Sequence, residues 1–178
     1  KSKILIKSMP VQTLKYRDSN LSYANEQLKI LDSFPSDTFD TYLKKNGIEV
    51  LKSRQIEIMQ INVGNMCNQT CKHCHVDAGP DRKEIMTRET MEIILEKLSG
   101  NDIHTVDLTG GAPELNPEFR WFVTEIKKLG IHILDRCNLT IIVSNHRFLD
   151  LPEFFAENNI EVISSLQVVN ITHLTAKF

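Results

Sequence analysis

The stretch Cys67-Asn-Gln-Thr-Cys71-Lys-His-Cys74-His-Val-Asp-Ala-Gly-Pro80, entered from Ile56-Glu-Ile-Met-Gln-Ile-Asn-Val63, decides how the rest of the chain is read. The run before it alternates apolar and polar side chains with the two-residue period of a strand, and Gly64-Asn65 breaks that period. The cysteines follow in the pattern C-x3-C-x2-C, so one loop at the end of one strand carries three thiols. Spacing this short lets three sulfurs converge from a single loop. A structural zinc ion wants four protein ligands, the fourth here being His73, His75 or Cys137. A [4Fe–4S] cluster held by three cysteines instead keeps one iron open for another molecule.

Working outward from the loop, the chain settles into alternating elements. Thr87 caps a helix whose stripe is Met91, Ile94, Leu95 and Leu98, ended by Gly100-Asn101. A strand over 103–109 runs directly into Gly110-Gly-Ala-Pro113. Pro117-Glu118 opens a helix carrying Phe119, Phe122, Val123, Ile126 and Leu129, stopped by Gly130. The run Leu139-Thr-Ile-Ile-Val143 predicts a third strand ending at Ser144-Asn145. A short helix over 151–157 and a strand over 160–164 follow. Four strands alternating with helices through short connections predict an α/β fold of parallel βα repeats. In such folds the loops at the C-terminal ends of the strands carry the chemistry, so the cysteines, Gly110-Gly111, Ser144-Asn145 and Ser164-Ser165 are expected on one rim.

The flanks are less regular. Residues 1–52 read as a partly helical lead-in that packs on the main domain, with one helix within 21–34 and a second, capped by Ser36 or Asp37, running to Gly47. Residues 53–166 form the core domain, and 167–178 a divergent or truncated tail. A sheet left open after about four strands exposes an apolar edge, so the chain is expected to be a piece of a longer one.

Composition narrows the classes. The 178 residues are 41% hydrophobic and 25% charged with a formal net charge of −2, which argues against a nucleic-acid partner or an anionic membrane surface. No apolar run reaches the length of a membrane span, and the apolar part of Lys1-Ser-Lys-Ile-Leu-Ile-Lys7 is too short for a signal peptide. A cytoplasmic protein is expected, although the chain begins without Met and its targeting is not read from this end. The four cysteines do not suggest a disulfide framework, since three are crowded in one loop of an intracellular-looking α/β chain. Asn-x-Thr triplets at Asn68, Asn138 and Asn170 are read as chance.

The C-x3-C-x2-C loop directly after the first strand of a βα series resembles the radical S-adenosylmethionine (radical SAM) enzymes. The stretches Gln60–Pro80, Leu108–Pro117 and Asp135–Thr140 are further similar to the arsenosugar-biosynthesis branch of that superfamily, over about residues 39–166. This resemblance implies the first half of a partial (β/α)6, TIM-like barrel, with Cys67, Cys71 and Cys74 holding a [4Fe–4S] cluster whose open iron binds S-adenosylmethionine (SAM). It implies transfer of a 5′-deoxyadenosyl group to a methylated arsenical, with a flavodoxin- or ferredoxin-like electron donor. Members of that branch carry a further cysteine-rich C-terminal domain.

The same resemblance assigns individual positions. His73, just before the third cysteine, stands where an aromatic residue lies near the adenine; its plainer reading is an exposed loop histidine. Gly110, Gly111, Ala112 and Pro113 match the loop that meets the amino group of the methionine moiety. The superfamily usually has Glu where Ala112 stands, so the backbone contribution is kept and Glu114 is the candidate to replace the side chain; in the arsenosugar branch Ala is usual there. Ser144, Asn145 and Ser165 fall at strand ends that face ribose and substrate, where turn formation is an equal explanation. Cys137, read as lying before the third strand and away from the rim, is a buried structural cysteine or, through its Asp-Arg-Cys-Asn-Leu-Thr context, a thiol that meets an arsenical.

Overall fold

The structure, a computed structural model, describes residues 12–49 and 51–164. The elements run α1 (Ala24–Asp32), α2 (Phe39–Lys45), β1 (Ile58–Asn62), α3 (Arg88–Ser99), β2 (Thr105–Thr109), α4 (Phe119–Lys128), β3 (His132–Asp135), α5 (Thr140–Ser144), α6 (Leu151–Glu157) and β4 (Glu161–Val162). The four strands form one parallel sheet in the order β1-β2-β3-β4. This is the expected α/β fold of βα repeats.

The core lies between the sheet and its helices. Val106 and Leu108 of β2 and Ile133 of β3 point to one face, where they meet Met91 and Leu98 of α3 and Phe119, Phe122, Val123 and Ile126 of α4. The 3-4-7 spacing of the α4 residues makes a single apolar stripe. Phe122 is wholly buried, and a side chain of that size contributes about 1.5–3 kcal/mol by leaving water. Phe119 packs on Phe155 of α6 edge to face, with centroids 6.5 Å apart. For α3 and α4 the sequence signals mark where a helix starts or stops. The Thr87 hydroxyl accepts from the Thr90 amide at 3.4 Å, and Gly130 takes a φ of 75° that turns the chain from α4 into β3. For α2, Thr38 supplies the cap rather than Ser36 or Asp37.

One element differs from expectation. The third strand is His132–Asp135, and the Leu139–Val143 run forms the helical turn α5. A five-residue run with four β-branched residues fits a buried helical turn as well as a strand, and here local hydrogen bonds decide. Asn138 Oδ1 accepts from the Thr140 hydroxyl at 2.9 Å and from its amide at 3.3 Å, starting the turn, and Ile141 is buried against the core. The strand role passes to the residues directly after Gly130, where the buried Ile131, Ile133 and Asp135 alternate with the more exposed His132 and Leu134.

The lead-in also differs in part. Thr13, Leu14 and Lys15 bind the main body, whereas α1 buries no residue and leaves Leu28 and Leu31 exposed. The tail at 167–178 lies outside the described residues.

Candidate functional site

β1 delivers the chain to Gly64, and the segment from there to Met86 goes out and returns to the same strand end. The Asn65 amide donates to Glu84 O at 2.8 Å, Gly79 N to Asn65 O at 3.2 Å, and Met86 N to Val63 O at 2.9 Å. The three cysteines sit on this closed loop. Its base is pinned from below by Arg82, whose guanidinium donates to the Asp77 carbonyl at 2.7 Å and carboxylate at 2.9 Å. Asp77 also accepts the Leu14 and Lys15 amides, and the Thr13 hydroxyl reaches Asp81. The N-terminal segment thus latches the outer side of the cysteine loop.

The loop after β2 is fitted to the inner side. Gly111 N donates to Gly64 O and Ala112 N to Met66 O, both at 2.9 Å. A Cβ on Gly111 would lie 2.4 Å from Met66 O, and one on Gly110 2.4 Å from Gly64 O. Glycine is therefore required at both positions by backbone approach, which is more than a plain βα turn demands.

Together these loops and the segment after β3 surround a cavity of about 650 Å³ bordered by Cys67, Cys71, Cys74, Gly110, Gly111, Arg136 and Cys137. All four cysteines are free thiols. Burial pushes the Cys67 thiol up from its ordinary range, with the nearby Cys71 and Cys74 adding to the rise. Two donors already aim at sulfur: Ala78 N lies 3.2 Å from Cys74 Sγ and Asn138 Nδ2 3.6 Å from Cys67 Sγ. Asn138 also donates to Asn68 Oδ1 at 2.7 Å, and Asn68 to the Thr140 hydroxyl at 3.0 Å. This network ties the first cysteine to α5.

Under the cavity, Arg136 grips Asp107 with two N–H groups at 2.8 Å, and Gln60 donates to the same carboxylate at 2.8 Å. Arg136 holds the Asp107 carboxyl below its usual range. Deeper still, Glu114, Asp135 and Cys137 converge. Burial raises the Glu114 carboxyl, and burial together with the Glu114 charge pushes Asp135 up to about 9. Burial and both carboxyls raise the Cys137 thiol.

The sequence-predicted residues are therefore brought together unevenly. Cys67, Cys71, Cys74, Gly110 and Gly111 meet at one cavity. Ala112 and Pro113 follow them as buried residues, and Glu114 is turned into the interior. His73 is exposed on the turn between Cys71 and Cys74, and His75 borders the cavity in its place. Cys137 must be moved: it follows β3 and stands on the rim, because the third strand lies before it. Ser144 and Asn145 are corrected in the opposite sense. They end α5, where Ser144 bonds Ile141 O and Asn145 caps the next turn, away from the cavity. Ser164 borders the cavity, and Ser165 lies outside the described residues. Asn68, Asn138, Thr140, Asp107 and Arg136 were not anticipated. An aspartate in the middle of the strand Thr-Val-Asp-Leu-Thr, where a buried carboxylate needs a partner, is the signal that could have found the last pair.

The donor set suits a polynuclear cluster better than a single ion. Ligands of one tetrahedral zinc lie about 3.8 Å apart for thiolates 2.3 Å from the metal. Among the described residues, only Glu114, Asp135 and Cys137 form a group of three potential ligands within 4.8 Å, so Cys67, Cys71 and Cys74 are spread more widely. The structure is thus an α/β protein with a parallel sheet and three separated thiols around a strand-end cavity. More specifically, the chain belongs to the radical SAM superfamily, whose family model matches residues 61–172, more than half of the sequence. The family implies SAM and an iron–sulfur cluster as the groups bound.

Curated relatives include a probable GTP 3′,8-cyclase of Sulfolobus acidocaldarius, 28% identical over 78 residues, covering 44% of this chain and 25% of that protein. A probable GTP 3′,8-cyclase of Saccharolobus islandicus is 30% identical over 77 residues, covering 43% and 25%. The chain thus spans about a quarter of the length of these relatives. Among solved structures, Streptococcus suis SuiB bound to the precursor peptide SuiA matches with a TM-score of 0.53 and 18% identity, covering 86% of this chain and 37% of SuiB. That likeness concerns the fold. Among the described residues, no helix is long and apolar enough to cross a membrane.

Proposed function

We propose that this chain carries the cofactor-binding part of a radical SAM enzyme, with Cys67, Cys71 and Cys74 holding a [4Fe–4S] cluster and the strand-end rim holding SAM at its open iron. The observation that carries the reading is the single cavity shared by the three thiols and the Gly110–Gly111 backbone. When bound, cluster and SAM supply one-electron cleavage of a sulfonium C–S bond, the source of a 5′-deoxyadenosyl radical.

The chain's own tasks are binding, orientation and exclusion of water. Ala78 N and Asn138 Nδ2 donate to thiolate sulfur and hold Cys74 and Cys67 in place. The Gly110–Pro113 backbone receives the amino group of the methionine moiety; Glu114, facing Asp135 and Cys137, leaves that contact to the backbone. His73, on the turn between the second and third cysteines, is the adenine-side candidate by family likeness, and Ser164, at the cavity border, is the ribose-side candidate. The four-stranded sheet is the opening part of a partial TIM-like barrel, preceded by the lead-in at 1–52. The electron comes from a flavodoxin- or ferredoxin-like carrier.

For the substrate we favour a methylated arsenical, adenosylated at arsenic. The support is sequence likeness in Gln60–Pro80, Leu108–Pro117 and Asp135–Thr140 to the arsenosugar branch. The substrate of the cyclase relatives is not carried over, since the match covers a quarter of their length. The test is anaerobic iron–sulfide reconstitution followed by dithionite, SAM and dimethylarsinous acid, read by mass spectrometry. An adenosylated arsenical is expected. Formation of 5′-deoxyadenosine without it overturns the substrate, and a cluster-loaded protein that yields neither product overturns the activity of this chain.

A further inference from the structure

Beneath the rim, two carboxyls and a thiol meet in the interior. Glu114 lies on the turn after β2, Asp135 is the last residue of β3, and Cys137 stands two positions beyond it. One ligand atom from each lies within 4.8 Å of the other two. Their exposures are 5%, 0% and 3%. All four carboxyl oxygens are shut off from solvent and, among the described residues, meet no hydrogen-bond partner outside the group of Glu114, Asp135 and Cys137 itself. The neighbouring cation does not relieve them, because the Arg136 guanidinium turns to Asp107 instead. A buried polar group without a partner requires an explanation, and a bound ion is one of few available. Burying charges without partners is strongly unfavourable, so an ion that pairs them would relieve the site.

We propose that Glu114, Asp135 and Cys137 form a binding site for a divalent d-block cation of the zinc type, separate from the three-cysteine loop. The donor set identifies the class. Calcium and magnesium take oxygen ligands alone, whereas zinc accepts carboxylate and thiolate together. Three protein ligands leave a fourth position for water or a substrate atom, the arrangement of catalytic rather than structural zinc. Cys137 borders the cavity, which gives the ion its way in. Binding requires the deprotonated ligands, so the protons they carry pass to solvent as the metal enters, and no oxidation state changes. The site stands whether or not the loop cysteines hold a cluster.

The sequence has four cysteines, so the full chain with Cys67, Cys71 and Cys74 all replaced by Ala keeps Cys137 as its sole thiol. Titrated with cobalt(II) chloride, this protein should bind one equivalent and develop a thiolate-to-cobalt charge-transfer band, which zinc chloride abolishes. Further Cys137→Ser should remove the band, and Glu114→Gln should retain it while weakening affinity about tenfold or more. Circular dichroism checks folding of each variant. Should the triple variant fail to fold, the parent protein decides: zinc at saturating concentration must raise its melting temperature, and that rise must be smaller in the parent carrying Cys137→Ser or Glu114→Gln. Absence of the band, or a zinc-dependent rise that is missing in the parent or unchanged by these substitutions, overturns the proposal and leaves a proton-sharing acid pair only.

Discussion

Replacing Gly111 by Ala tests whether the loop after β2 and the cysteine loop act as one part. The new methyl would sit 2.4 Å from Met66 O, 2.8 Å from Met66 C and 3.0 Å from Ala78 Cβ. Ordinary contact needs about 3.4 Å or more, so the backbone beside Cys67 must retreat by about 1 Å. Nothing flexible lies in the way to absorb the shift. Overpacking of this kind costs about 1–3 kcal/mol. The two amide bonds from Gly111 and Ala112 into the cysteine loop are weakened with it, each worth about 1 kcal/mol. A total of about 2–4 kcal/mol lowers the melting temperature by roughly 5–15 °C for a chain of this size. The same displacement moves Cys67, so iron bound after reconstitution should fall below half of the wild-type content. Gly130→Ala is the control. Its φ of 75° makes Ala cost about 1–2 kcal/mol, yet a Cβ there meets nothing within 4 Å and the site is remote. It should melt earlier and load iron normally. A Gly111→Ala protein that melts and loads like the wild type refutes the close fit of the two loops.

Arg82→Met removes the buried cation between Asp77 and Glu84 and should destabilise the protein by about 3 kcal/mol in urea unfolding. Lys15, with Arg82, holds the Glu84 carboxyl down to about 2 against 4.5 unperturbed. A depressed acid contributes stability above the unfolded value and loses it as pH falls through the folded one. Stability should therefore drop between about pH 5 and pH 2, and Lys15→Met should flatten that slope in urea midpoints taken across the window. Asn138→Ala deletes a hydrogen bond to Cys67 sulfur; in reconstituted protein the reduction potential should become more negative, on the order of tens of millivolts.

The parts legible in sequence were those with a local cause. The alternation before Gly64, the Thr87 cap, the α4 stripe and the stop at Gly130 each placed an element correctly. Thiol spacing at Cys67, Cys71 and Cys74, together with Gly110-Gly111, located the cavity. The third strand was lost because Leu139–Val143 has strand propensity, while its outcome rests on hydrogen bonds of Asn138 and Thr140 and on space around Ile141. That one displacement misplaced Cys137, Ser144 and Asn145 together. The convergence of Glu114 with Asp135 joins a residue on the turn after β2 to the last residue of β3, and the register of β2 against β3 brings them together. No periodicity carries that information.

The most direct test of the account is electron paramagnetic resonance of the anaerobically reconstituted, dithionite-reduced protein before and after SAM is added. Three cysteines on an iron–sulfur cluster leave one iron open, so the account predicts a paramagnetic cluster signal whose g-values shift with SAM and which disappears in Cys71→Ala. A colourless protein that holds zinc at the cysteine loop, or a cluster signal indifferent to SAM, would contradict it.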